Sequence, residues 1–138
     1  MATRVTLSNL SVNAMVEARG KLCDGGFLEI YAGDRPAGAD DPVPDAARLL
    51  ATLQLGTPAF KAPIGGSATA NPMNRELNAP STGRPAWYRL YTADHQSVIE
   101  DGTVGQEGTN LIVPTGVIQE HAEIEVRGFV MAQPKVEP

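Results

Sequence analysis

The chain has 138 residues, a formal net charge of -5, one cysteine and two histidines. One cysteine excludes an internal disulfide and a cysteine-based zinc site, the acidic balance without a basic run argues against wrapping a nucleic-acid backbone, and no apolar run nears the ~20 residues that span a bilayer. Abundant glycine (14) and proline (11) beside only 5% aromatic residues fit a turn-rich β protein with one core.

The first segment is the one good helix candidate. Leu7, Leu10, Ala14, Met15, Ala18 and Leu22 recur at spacings of three and four, giving one apolar stripe. Asn9, Asn13, Glu17 and Lys21 fall on another face, Thr6 is an acceptable N-cap, and Asp24-Gly25-Gly26 ends the helix. Asn9, Asn13, Glu17 and Arg19 also break the continuous apolar run that a secretory leader needs. A soluble protein made in a reducing cytoplasm is therefore expected. A helix this short is stable only when docked, on its own domain or on a neighbour.

After Gly26 the apolar period changes from about 3.6 to 2. Phe27–Tyr31 reads as a strand, closed by Gly33-Asp34-Arg35-Pro36. A long Asp- and Pro-rich loop follows to about Asp45, and Leu49–Leu55 makes a second strand. Pro58-Ala59-Phe60 is a short element, Gly65–Met73 a weak one, and Asn74–Arg84 a polar loop. Ala86–Tyr91 and a strand restarting at Ser97 predict a hairpin across Ala93-Asp94-His95-Gln96. A piece around Val104 and two short runs flanking Pro114 come next. Ala122–Met131 then reads as the cleanest strand, with Ile124, Val126, Gly128 and Val130 on one face and Glu123, Glu125 and Arg127 on the other. Turn signals at this spacing predict a mainly β chain: an antiparallel β-sandwich of about seven or eight strands preceded by one N-terminal α-helix. Residues 1–25 form the helical segment, 26–132 the sandwich and 133–138 an extended tail.

Few residues suggest chemistry. Asp94-His95 with Ser97 two positions on could orient a general base, but in a strand-flanking turn such residues ordinarily hydrogen-bond the turn itself. His121 stands alone. Asp40, Asp41 and Asp45 with Glu29 or Asp34 could offer oxygen ligands to calcium, yet Pro42 and Pro44 interrupt the spacing and a solvated acidic loop is expected. Gly25-Gly26 and Gly65-Gly66 lack the lysine and spacing of a phosphate-binding loop. Cys23 reads as a small buried residue. No catalytic residue, metal or cofactor is expected.

Contact surfaces are the better prospect. The helix stripe offers Leu7, Leu10 and Met15; Trp87 and Tyr91 share one face of their strand; Phe129 and Met131 sit on the second face of the last strand. These seven are the candidate interface residues. Trp87 and Tyr91 could equally stack on sugar rings, as in a carbohydrate-binding module.

The order of these pieces resembles a known family. A helix ending in Gly-Gly runs into Phe27-Leu28-Glu29-Ile30-Tyr31-Ala32-Gly33-Asp34-Arg35-Pro36, then Leu49–Leu55, Pro58-Ala59-Phe60, Trp87-Tyr88-Arg89-Leu90-Tyr91 and Asp101-Gly102-Thr103-Val104-Gly105. Over roughly residues 7–132 this is similar to small structural proteins encoded in the virion-gene modules of tailed bacteriophages and prophages. The resemblance implies a virion component without catalysis, assembled in the bacterial host cytoplasm. A capsid decoration (cement) protein contacting the major capsid protein, and a homo-oligomer, is the expected placement; a tail, baseplate, neck or fibre-associated component is the alternative. In the first placement the helix or the C-terminal tail would clamp a neighbour; in the second the helix would dock onto a ring or fibre.

Overall fold

The computed structural model describes residues 4–136. One helix, α1 (Asn9–Leu22), precedes seven strands: β1 (Phe27–Ala32), β2 (Arg48–Gln54), β3 (Ser67–Thr69), β4 (Trp87–Tyr91), β5 (Val98–Gly105), β6 (Leu111–Ile112) and β7 (Gly128–Ala132). The chain is mainly β, as its composition implies. The strands link into one hydrogen-bonded series, β2-β1-β4-β5-β6-β7-β3. All pairs are antiparallel except β5–β6, which run parallel through Val104↔Leu111 and Gly105↔Ile112. The expected wholly antiparallel arrangement of separate sheets therefore gives way to one mixed sheet.

That sheet is curled. Strands lie about 4.8 Å apart, so β4 and β7, three steps apart in the series, would be separated by roughly 14 Å in a flat sheet. Yet Tyr88 of β4 meets Phe129 of β7 edge-on at 5.2 Å between ring centres. The inner side of the curl holds the core, including Leu28, Ile30, Leu53, Tyr88, Leu90, Leu111, Phe129 and Met131. A register shift at Ile30/Tyr31 skips Leu50, so Leu50 and Ala51 are both buried despite being neighbours.

The helix closes the core, by a different face from the expected one. Ser8, rather than Thr6, is the N-cap: its hydroxyl accepts from the Ser11 N–H at 3.2 Å. Val12, Val16, Gly20 and Cys23 point inward. The helix stops where the glycines predict, with Gly25 at φ 66 and the Gly26 N–H donating to the Cys23 carbonyl at 2.7 Å.

Two further corrections concern strands. β7 is confined to Gly128–Ala132, and its buried residues are Phe129 and Met131 while Val130 is exposed. Ile124 instead forms an isolated bridge with Glu76, and the even-numbered face does not continue into the strand. The Val98 and Val104 pieces are one strand, β5. The sheet edges are covered by the chain itself. The Lys61 N–H donates to Thr69 beside β3, and Asn74 N–H donates to Gln54 beside β2. Of the expected tail, the described part pairs with the N-terminal segment through the Thr6↔Val136 bridge and the Leu7 N–H to Lys135 carbonyl bond. Glu137 and Pro138 lie outside the described residues.

Candidate functional site

The apolar stripe legible in the helix faces solvent. Leu10 is 82% exposed, Leu22 55% and Met15 41%, with Ala14 and Ala18 also exposed between them. Leu10, Ala14, Ala18 and Leu22 are successive i, i+4 positions and so form a single row, with Met15 alongside. Leu7, just before the helix, is half-buried. The inward contacts are made instead by valines and small residues four apart, which allow α1 to lie close to Phe60 and the Gly66 turn. The helix is thus docked on its own domain and still carries an apolar outer row.

The other interface candidates lie inside. Trp87, Phe129 and Met131 are each 1% exposed; side chains covered by their own chain have no surface to offer a partner. Trp87 fails as a platform because the outer side of the β1–β4–β5 sheet is also covered. Tyr31 stacks on it at 4.6 Å, and the Arg89 guanidinium lies 5.7 Å from its ring centre. Its indole Nε1 is buried without a hydrogen-bond partner among the described residues. Tyr91 is half-buried against His95. A sugar-stacking surface built on Trp87 is not present.

Polar groups order this outer side. Arg89 and Asp101 face each other across β4–β5 and make a bidentate pair, Nε to Oδ1 at 2.7 Å and Nη2 to Oδ2 at 2.9 Å, with both side chains almost wholly buried. The Asp101 hydrogen bonds push the guanidinium pKa upward. His95 sits in the β4–β5 turn at φ 61, stacked on Phe27 at 4.6 Å, with Nε2 3.2 Å from Glu29 Oε1. Asp94 does not orient it. The Asp94 carboxylate accepts from the Thr92 hydroxyl and the Gln96 N–H, and the Thr92 bond chiefly holds its pKa below the ordinary range. The pair is a turn clasp of the kind its position predicts.

A second network joins the helix to the sheet. Arg19 reaches Glu100 at 2.7 Å and the Ala132 carbonyl at 3.1 Å, while the Tyr88 hydroxyl donates to Glu100 at 2.6 Å. Burial first, then the Glu100 charge, raises the Tyr88 pKa. Burial likewise pushes the Cys23 thiol up to about 12, which keeps it protonated and unreactive at neutral pH. His121 also occupies a turn, at φ 72, with Nδ1 2.9 Å from Asn78 Oδ1. Among the described residues no three His, Cys, Asp or Glu side chains gather as a metal site. Sequence reasoning missed Arg89–Asp101 and Arg19–Glu100; the available signal was a charged residue alternating with aromatics along a strand.

No known family, curated protein or solved structure matches the chain. What the chain presents to a partner is therefore read from its own surface, chiefly the outer row of α1.

Proposed function

We propose that the protein is a non-enzymatic structural component of a tailed-phage virion: a capsid decoration protein whose α1 outer row docks on the major capsid protein. The observation that carries this reading is the exposed row of Leu10, Ala14, Ala18 and Leu22 with Met15, on a helix already anchored by its opposite face. Burying such side chains stabilises a contact by roughly 25 cal/mol per Å², so a neighbour that covers them gains directly. The motif order of tailed-phage structural proteins supports the same reading, and the acidic balance suits an outer shell surface.

The test is stoichiometry in purified phage particles. About one copy per major capsid subunit is expected for decoration. A few dozen or fewer moves the protein to the tail, baseplate or neck, and absence from particles overturns the virion reading. Deleting residues 1–22 is a poor probe, because Val12 and Val16 belong to the core. Leu10→Glu with Met15→Glu keeps the inner face and should abolish incorporation while circular dichroism is unchanged.

A further inference from the structure

A groove of about 300 Å³ lies between the segment after β3 and the approach to β7. Its apolar lining includes Met73, Val126 and Phe129, and its charged lining residues are Lys61 and Arg127. Both cations are exposed and neither forms an ion pair among the described residues. The groove is thus apolar inside, doubly positive and without an anion of its own.

Its complement is at the other end of β2. The loop between β1 and β2 carries Asp40-Asp41-Pro42-Val43-Pro44-Asp45, with three carboxylates and no cation across these six residues. Turns flank it, with Asp41 N–H donating to the Gly38 carbonyl at 3.1 Å and Ala47 N–H to the Pro44 carbonyl at 3.0 Å, and Val43 and Pro44 are half-buried between them. Asp41 and Val43 each precede proline, a position that favours extended backbone, so the Asp41–Pro44 stretch between the two turns suits a short polyproline-like strip. Such strips lose little entropy on entering a groove lined by apolar and aromatic side chains. Asp40 and Asp45 are exposed and make no ion pair among the described residues.

The loop does not reach its own groove. It enters β2 at Arg48, whereas Asn74, next to groove residue Met73, is bonded to Gln54 at the far end of that strand. Seven residues of strand separate the two by roughly 20 Å. We infer that the Asp40–Asp45 loop of one copy docks in the Lys61/Arg127 groove of a second copy, giving a head-to-tail contact. Such a contact uses two different patches and therefore propagates into a ring or a string rather than a closed two-fold dimer. It goes beyond the virion reading and does not depend on it: a chain that self-associates in solution yet is absent from particles keeps this inference and loses that one.

Sedimentation velocity of the purified full chain tests it. Self-association is expected at concentrations up to about 1 mM, weakening as salt rises from about 0.05 to about 0.5 M. Lys61→Glu with Arg127→Glu removes the groove's charge, and Asp40→Lys with Asp45→Lys reverses the loop; each variant should associate at least tenfold more weakly than the parent chain. Mixed together at low salt, the two variants should associate with each other, since the unchanged acidic loop of the groove variant fits the unchanged groove of the loop variant and the two reversed patches are again opposite in charge. Each variant mixed with the parent chain should instead cap its assemblies at one end, lowering the mean mass. A parent chain monomeric throughout, variants that associate like the parent, or a two-fold dimer insensitive to both changes overturns the inference; circular dichroism confirms that each variant is folded.

Discussion

Arg89 and Asp101 are the most consequential pair of side chains away from the hydrophobic core. Each lies on the middle of a sheet strand, opposite the other, and both are withdrawn from water. Desolvating two charges is costly, and the bidentate geometry offsets that cost only while both partners are present. Asp101→Asn therefore leaves a buried guanidinium without its counter-charge, and should lower unfolding stability by about 3–5 kcal/mol. The double change Arg89→Met with Asp101→Leu should recover most of that loss, because it removes both desolvation costs at once. Urea denaturation of the three proteins decides the matter. A single-variant loss under about 1 kcal/mol would show that water reaches the pair.

At the scale of elements, glycine positions mark where backbone and helix come closest. A Cβ on Gly26 would collide with the Tyr91 carbonyl oxygen and lie 2.9 Å from the Cys23 carbonyl oxygen, both backbone atoms that cannot swing aside. Gly26→Ala should cost about 3 kcal/mol or more. Gly20 is the opposite case: a Cβ there would sit 3.6 Å from Phe60 Cβ, an ordinary contact, within a helix where glycine is unfavourable. Gly20→Ala should raise stability by roughly 0.5–1 kcal/mol, read as a higher urea midpoint. The same elements show what the sequence made legible. The helix end at Gly25-Gly26, β1, β2 and the β4–β5 hairpin follow from local turn chemistry and a period of two. Which face of α1 is buried did not follow, because its apolar period marks the outer row, while the inner face is set by long-range contacts such as Val12 against Gly66 and Gly20 against Phe60. The limits of β7 and the parallel β5–β6 pair depend on long-range pairing, which no local period records. For the candidate surface, Leu10 and Met15 were legible as apolar helix residues, but the burial of Trp87, Phe129 and Met131 depends on the curl of the sheet.

The whole molecule has an alkaline weakness that follows from its buried acids. Cys23 at the helix end, Tyr31 in β1 and Tyr88 in β4 all have raised pKa values, burial being the largest cause in each; the carboxylates of Glu100 near Cys23 and Tyr88, and of Glu29 near Tyr31, add to it. Each group is neutral in the folded chain over a range where the unfolded chain has already ionised. Above about pH 9 for the thiol, and about pH 10 for the phenols, the unfolded state therefore holds fewer protons than the folded state. Stability is insensitive to these groups below that range and falls as pH rises through it, by up to roughly 1.4 kcal/mol per pH unit for each fully engaged group. Because the three groups sit on α1, β1 and β4, with Tyr88 and Arg19 sharing Glu100, the loss is felt by the helix and the sheet together and should appear as one cooperative transition. Urea midpoints measured from pH 7 to 11 should stay level to about pH 9 and then decline with increasing slope. Cys23→Ala should flatten the first part of the decline, and Tyr88→Phe the later part, even though each variant starts from a lower midpoint. A parent chain whose midpoint is unchanged at pH 11 would mean that solvent reaches these side chains in the folded state, and the closed core between α1 and the sheet would have to be redrawn.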